Sequence, residues 1–116
     1  MAHSKNMSSP DETRKFDKGK LEVAEVDGRM VGRATFEPGW KWSECVKPIA
    51  GTDSCQVEHF GYAISGRMTV QFDDGSSLDV GPGDFVHLPA GHDAWIVGDE
   101  TCVFIDFMGA PNYAKK

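Results

Sequence analysis

Two stretches decide the fold. The first is Cys55-Gln56-Val57-Glu58-His59-Phe60-Gly61-Tyr62-Ala63-Ile64-Ser65-Gly66-Arg67-Met68. The second is Gly81-Pro82-Gly83-Asp84-Phe85-Val86-His87-Leu88-Pro89-Ala90-Gly91-His92-Asp93-Ala94-Trp95. After the first, Met68, Val70 and Phe72 alternate with Thr69 and Gln71, the two-residue period of a half-buried strand. Asp73-Asp74-Gly75-Ser76 then reads as a hairpin turn. Gly66 and Gly75 suit positive φ, where a Cβ is strained. In the second stretch Gly81-Pro82-Gly83-Asp84 turns the chain, and Asp84 is expected to bond turn amides. Phe85 to Leu88 reads as a short buried strand. Pro89 pre-sets φ for the next turn, and Gly91 stands where a type II turn needs it.

The same rhythm extends outward in both directions. Leu21 to Val26 is β-compatible, and Asp27-Gly28 favours a type I′ hairpin. Met30, Gly32, Ala34 and Phe36 alternate with Val31, Arg33 and Thr35. Glu37-Pro38-Gly39 breaks that strand. Trp40 and Trp42 are two apart and share a face if the segment is extended, with core or dimer-interface packing expected ahead of substrate stacking. Residues 46–52 read as a connecting loop. Trp95-Ile96-Val97 and residues 102–107 read as strands split by Gly98-Asp99-Glu100. No apolar 3.6-residue period of helical length occurs. The chain is therefore expected to be all-β, a sandwich or barrel of nine or ten short strands.

At 116 residues the chain is expected to be one domain with a real apolar core. Residues 1–18 are polar and are read as a loose arm or an added edge segment, His3 being solvated there. Residues 19–116 form the single domain. The net charge of −6, with no cluster of Lys and Arg, argues against nucleic acid and anionic membrane as partners. Cys45, Cys55 and Cys102 are odd in number and match no zinc ribbon or redox motif, so reduced thiols in the cytoplasm are expected. The first residues carry no apolar secretory core, and no run approaches a membrane span.

The two opening stretches resemble the two motifs of the cupin superfamily. Gly66, within Tyr62-Ala63-Ile64-Ser65-Gly66-Arg67, stands as the closing glycine of the first motif. Gly83 and Pro89-Ala90-Gly91 keep the spacing of the second. The resemblance covers roughly residues 30–107, and residues 92–100 are similar to a subgroup of small single-domain bacterial cupins. It implies a double-stranded β-helix, the jelly-roll barrel of the RmlC-like fold. It also implies a small molecule bound in the barrel mouth, and a homodimer paired through the sheets.

The cupin ligand pattern is altered. Counting from the glycines, the motif's glutamate position holds His59, and its two histidine positions hold Asp53 and Cys55, or Thr52 and Ser54 with the longer spacing. The histidine of the second motif falls at Ala94, with His92 two residues earlier. Cys55, Val57 and His59 share parity, so a continuous strand aims Cys55 and His59 at one face. Cys55, His59 and His92, completed by water, make a set suited to a divalent metal: zinc first, then iron or manganese. It is not the two-histidine, one-carboxylate set of non-haem iron oxygenases. Each residue also has a plainer reading: Cys55 as a buried core residue, His59 in a cross-barrel hydrogen bond, His92 bonded to Asp93. His87 is read as a satisfied core or surface histidine. Tyr62 and Trp95 are the candidate pocket residues, with packing as the other reading. A Cys55–His59 nucleophile pair lacks a third orienting group in the sequence.

Three functions follow as expectations. One is a metal-dependent protein binding a small acidic or carbonyl compound, of isomerase, lyase or oxygenase type if it is an enzyme. Another is a metal-free binding or sensor module. The last is a structural or partner-binding protein using an exposed Trp40/Trp42 face.

Overall fold

Hairpins at the expected turns generate the architecture. The computed structural model describes residues 1–115, so the last residue of the expected 19–116 unit lies outside the described residues. Nine strands are present among them: β1 Glu12–Phe16, β2 Gly19–Val26, β3 Arg29–Phe36, β4 His59–Ser65, β5 Arg67–Phe72, β6 Ser77–Val80, β7 Phe85–Leu88, β8 His92–Val97 and β9 Cys102–Asp106. They form a six-stranded sheet, β1-β2-β3-β9-β4-β7, facing a three-stranded sheet, β6-β5-β8, all pairs antiparallel. The polar segment at residues 12–16 is the edge strand β1, paired to β2.

The turn chemistry acts as the sequence suggests. Asp27 and Gly28 both have positive φ, 50° and 80°, as a type I′ turn requires. Gly66 is doubly constrained, because its φ is 73° and a Cβ there would lie 2.6 Å from Cys102 Cα. Asp84 accepts the Gly81 amide at 2.8 Å.

The segment read as a loop is partly helical, with single-turn helices α1, Trp42–Cys45, and α2, Lys47–Ala50, of which α1 packs beside β8. They are too short for a helical period to show in the sequence. Lys41 bridges to Trp95, and α1 starts at the next residue, so Trp40 and Trp42 do not lie in one strand. Both are 2% exposed within the core, so no exposed tryptophan face exists for a partner. Trp40 stacks on Phe36 with ring centroids 4.1 Å apart.

The core lies between the sheets. Ala34, Phe36, Ala63, Val70, Leu88, Ala94 and Phe104 point inward from their strands by simple alternation. Strand β7 is less buried than expected. It is an edge strand, so Val86 and Leu88 point in while Phe85 is 74% exposed.

Candidate metal centre

Three donors meet where the sheets converge at one end of the core. Cys55 Sγ and one ring nitrogen each of His59 and His92 all lie within 4.8 Å of one another. The strand expected to align Cys55 with His59 is not continuous, since residues 56–58 are irregular. Cys55 is placed from the opposite side instead. It forms an isolated bridge with His92, donating its amide to the His92 carbonyl at 2.7 Å. Its own carbonyl accepts the Gly91 amide at 2.7 Å. His59 begins β4 and His92 begins β8, both pointing inward. Because β8 is extended, His92 shares a face with Ala94 and stands two residues up the same strand.

Each imidazole is oriented through its far nitrogen. His92 Nδ1 donates to the Pro89 carbonyl at 2.9 Å, not to Asp93. His59 Nδ1 donates to Asp106 Oδ2 at 2.6 Å. The other oxygen, Asp106 Oδ1, accepts the amides of Met108 and Gly109 at 3.0 and 2.9 Å. Both Nε2 atoms are left facing the thiol, with His59 Nε2 3.7 Å from Cys55 Sγ. Gly109 is required there, because a Cβ would lie 2.6 Å from His59 Nδ1.

Asp106 is the residue the sequence reading missed. The available signal was an acid closing the apolar run Val103-Phe104-Ile105-Asp106-Phe107. Its pairing with His59 depends on β9 lying beside β4, which no local pattern reveals.

The electrostatics follow from this chain of groups. Burial pushes the Cys55 thiol up, but hydrogen bonds and charge from His59 and His92 outweigh it and bring it down to about 6. Burial disfavours the His59 imidazolium, yet Asp106 and Cys55 bond and attract it, raising it to about 9. Burial raises Asp106, and the His59 bond, its charge and the two amides together lower it. Near neutral pH the groups therefore favour thiolate, imidazolium and carboxylate in sequence. Cys102 stands in contrast: burial, with Glu100 nearby, pushes it up to about 11.

One donor pair comes close to the spacing of a tetrahedral zinc site. Zinc–sulfur and zinc–nitrogen bonds of ordinary length imply donor separations of roughly 3.3–3.6 Å. The 3.7 Å between Cys55 Sγ and His59 Nε2 needs only a slight contraction. Hydrogen-bonded far nitrogens are the usual support of ligating histidines.

The remaining expected site residues lie elsewhere. Asp53 is fully exposed, 3.9 Å from Lys47. Tyr62 and Trp95 face outward, since each has the parity opposite to the inward histidine on its strand. Tyr62 packs on Phe85 with centroids 4.7 Å apart, and Lys41 Nζ sits 5.4 Å from the Trp95 ring. His87 is also outside, bonded to Glu58. The interior cavity is lined by His59, His92, Asp106, Trp42, Tyr113 and apolar core residues. Tyr113, unremarked in the sequence, sets its ring edge-on to His59 at 5.2 Å.

A family model described as "Cupin domain" matches residues 46–108. Among solved structures, a protein of unknown function from Rhizobium leguminosarum is 16% identical with a TM-score of 0.62, covering 93% of this chain and 98% of its own. The polyketide cyclase RemF from Streptomyces resistomycificus is 19% identical with a TM-score of 0.62, covering 91% of this chain and 78% of its own. A variant of the Bacillus subtilis oxalate decarboxylase is 25% identical with a TM-score of 0.57, over 85% of this chain. The match spans only 28% of that decarboxylase. No curated protein matches the chain.

Proposed function

Given that this chain belongs to the cupin family, we propose that it binds a small molecule in the barrel at a divalent metal, zinc first. Cys55 Sγ, His59 Nε2 and His92 Nε2 are the proposed ligands. The observation that carries this is the pairing of three convergent donors with a fixed far nitrogen on each imidazole. Bound there, the metal would supply a Lewis acid with one open position. Asp106 holds one proton of His59 on Nδ1, so Nε2 is the nitrogen that would give up its proton to take the metal. The apolar walls exclude water and favour a ligand with one polar head. The metal reading stands above a metal-free sensor because Cys55 and the two imidazole Nε2 atoms point at a common centre.

Elemental analysis tests it. Protein expressed with zinc, iron and manganese supplements should carry about one metal per chain. His59→Ala should lose most of it. A metal-free wild-type protein would end this reading.

Asp106 also favours a second reading, because it supplies the orienting group that a Cys55–His59 nucleophile needs. In that case the protein purifies without metal, the Cys55 thiolate adds to an electrophilic carbonyl carbon, the C=O π pair passes to the oxygen, and His59 gives that oxygen its Nε2 proton. We further propose a cytoplasmic homodimer. Its three cysteines are free and buried, as reducing surroundings allow. Phe60, Ile64, Phe85 and Phe107 lie exposed around the β4–β7 edge, an apolar face that a second copy would cover. Sedimentation should show a dimer, and Phe85→Glu a monomer; a monomeric wild type refutes the pairing.

A further inference from the structure

Residues 107–115 cross the barrel end above the donor cluster, held by the buried Ala110 and Tyr113 side chains and by few polar bonds to the strands. The last bond to a neighbouring strand is from the Phe107 amide to the Phe60 carbonyl, at 2.8 Å. Beyond it the amides of Met108 and Gly109 go to Asp106, and those of Asn112 and Tyr113 return to Gly109. One side chain from elsewhere holds the remainder. Arg14 Nη1 donates to the carbonyls of Ala110 and Tyr113 at 2.6 and 2.8 Å. Arg14 is itself held by Glu12, at 2.7 Å from Nε and 3.1 Å from Nη2. The segment is under local strain, since Ala114 sits at φ 54°, where a Cβ is disfavoured.

What the segment covers matters more. Ala110 is fully buried, and the Tyr113 ring fills the space between His59 and Phe16. The cavity left beside the histidines is about 40 Å³. That is room for roughly one water, against the several hundred Å³ of ordinary small-molecule sites. On the other side of Tyr113 a surface pocket reaches Cys55. Tyr113 and Trp42 line both spaces and form the partition between them.

We propose that residues 107–115 are a displaceable plug, that Tyr113 occupies the place a ligand takes, and that Arg14, braced by Glu12, is the catch. Opening swings the segment about Phe107–Gly109 and joins the cavity to the surface pocket. This deepens the small-molecule reading given above and rests on it for what enters. With the plug seated, nothing larger than a few atoms fits beside His59 and His92. Ligand exchange is therefore limited by release of the Arg14 catch.

Thiol labelling tests this on the full chain stripped of metal. Cys55 is 2% exposed and lines the surface pocket together with residues 112–115, so it becomes open to reagent when they move away, whereas Cys102 is buried in β9 and reports opening of the barrel itself. Iodoacetamide modification of each is followed by mass spectrometry in a Cys45→Ala background. Arg14→Ala should speed labelling of Cys55 at least about tenfold, since two charge-assisted bonds are lost, and leave Cys102 unchanged. Glu12→Gln, a milder change at an exposed side chain, should give the same selective effect at about threefold. If Cys55 and Cys102 accelerate together, or neither variant changes Cys55, the plug is wrong. The assay contains no metal, so its failure is distinct from a failure of the metal reading, which elemental analysis decides.

Discussion

His59 and His87 each meet a carboxylate oxygen at 2.6 Å, yet the two pairs differ in almost everything else. Glu58 and His59 are adjacent in sequence and point to opposite faces of the sheet. Outward, Glu58 and His87 pair with about half of each side chain exposed (51% and 52%). Inward, His59 and Asp106 pair at 10% and 5% exposure. Water competes for the outer pair and solvates both groups without it. The inner pair has replaced its water with two amides on Asp106 and a thiol on His59. Equal distance therefore does not mean equal energy, because removing one inner partner strands a desolvated group.

The largest expected effect comes from breaking the inner pair. Asp106→Asn keeps the shape but turns an NH2 toward either the His59 donor or the two amides. It should destabilise the metal-free protein by about 3 kcal/mol in urea unfolding. A loss below about 1 kcal/mol would put the inner pair on the footing of the outer one.

Next in size is the titration of Cys55. Thiolate ultraviolet absorbance in the metal-free protein should rise with a midpoint of about 6, not the ordinary 9.0. His59→Ala should move that midpoint up by more than one unit, because it removes the first of the groups that lower it. The linked stabilities run in opposite directions. The Cys55 contribution is full above 9.0 and is lost as pH falls through about 6. The His59 contribution is full below 6.5 and is lost as pH rises through about 9. Urea unfolding of Cys55→Ser across this range should retain only the alkaline loss. An unchanged acid limb in that variant would show that Cys55 is not the titrating group.

The smallest effect belongs to the outer pair. Glu58→Gln should change stability by no more than about 0.5 kcal/mol, less still in high salt. A cost near that of Asp106→Asn would erase the distinction between the two faces.

The legible features share a physical basis. Gly66, Gly75, Gly83 and Gly91 take φ values of 73° to 91°, and each is a local demand that glycine alone satisfies cheaply. Such positions can be read without knowing what lies across the barrel. The outward placement of Tyr62 and Trp95 was equally readable: each is an odd number of residues from an inward histidine on its own strand. Of the two readings for this pair, pocket lining and packing, strand parity favours packing, because it governs which face a side chain reaches. Trp40 and Trp42 pack in the core as expected, though a bridge and then a helical turn replace the strand on which their shared face depended.

The sequence by itself determined the turns, the alternation and the family to which the chain belongs, because these rest on spacings within a few residues. It also named Cys55, His59 and His92, through the glycines that frame them. Only the tertiary structure brought Asp106 against His59, Arg14 against residues 110 and 113, and Tyr113 over the donors. Those contacts span 47, 96 and 99, and 54 residues respectively. They exist because β9 lies between β3 and β4 and carries the chain back over the barrel end. Partners that far apart are selected by sheet order and burial, and neither is written in any short run of the chain.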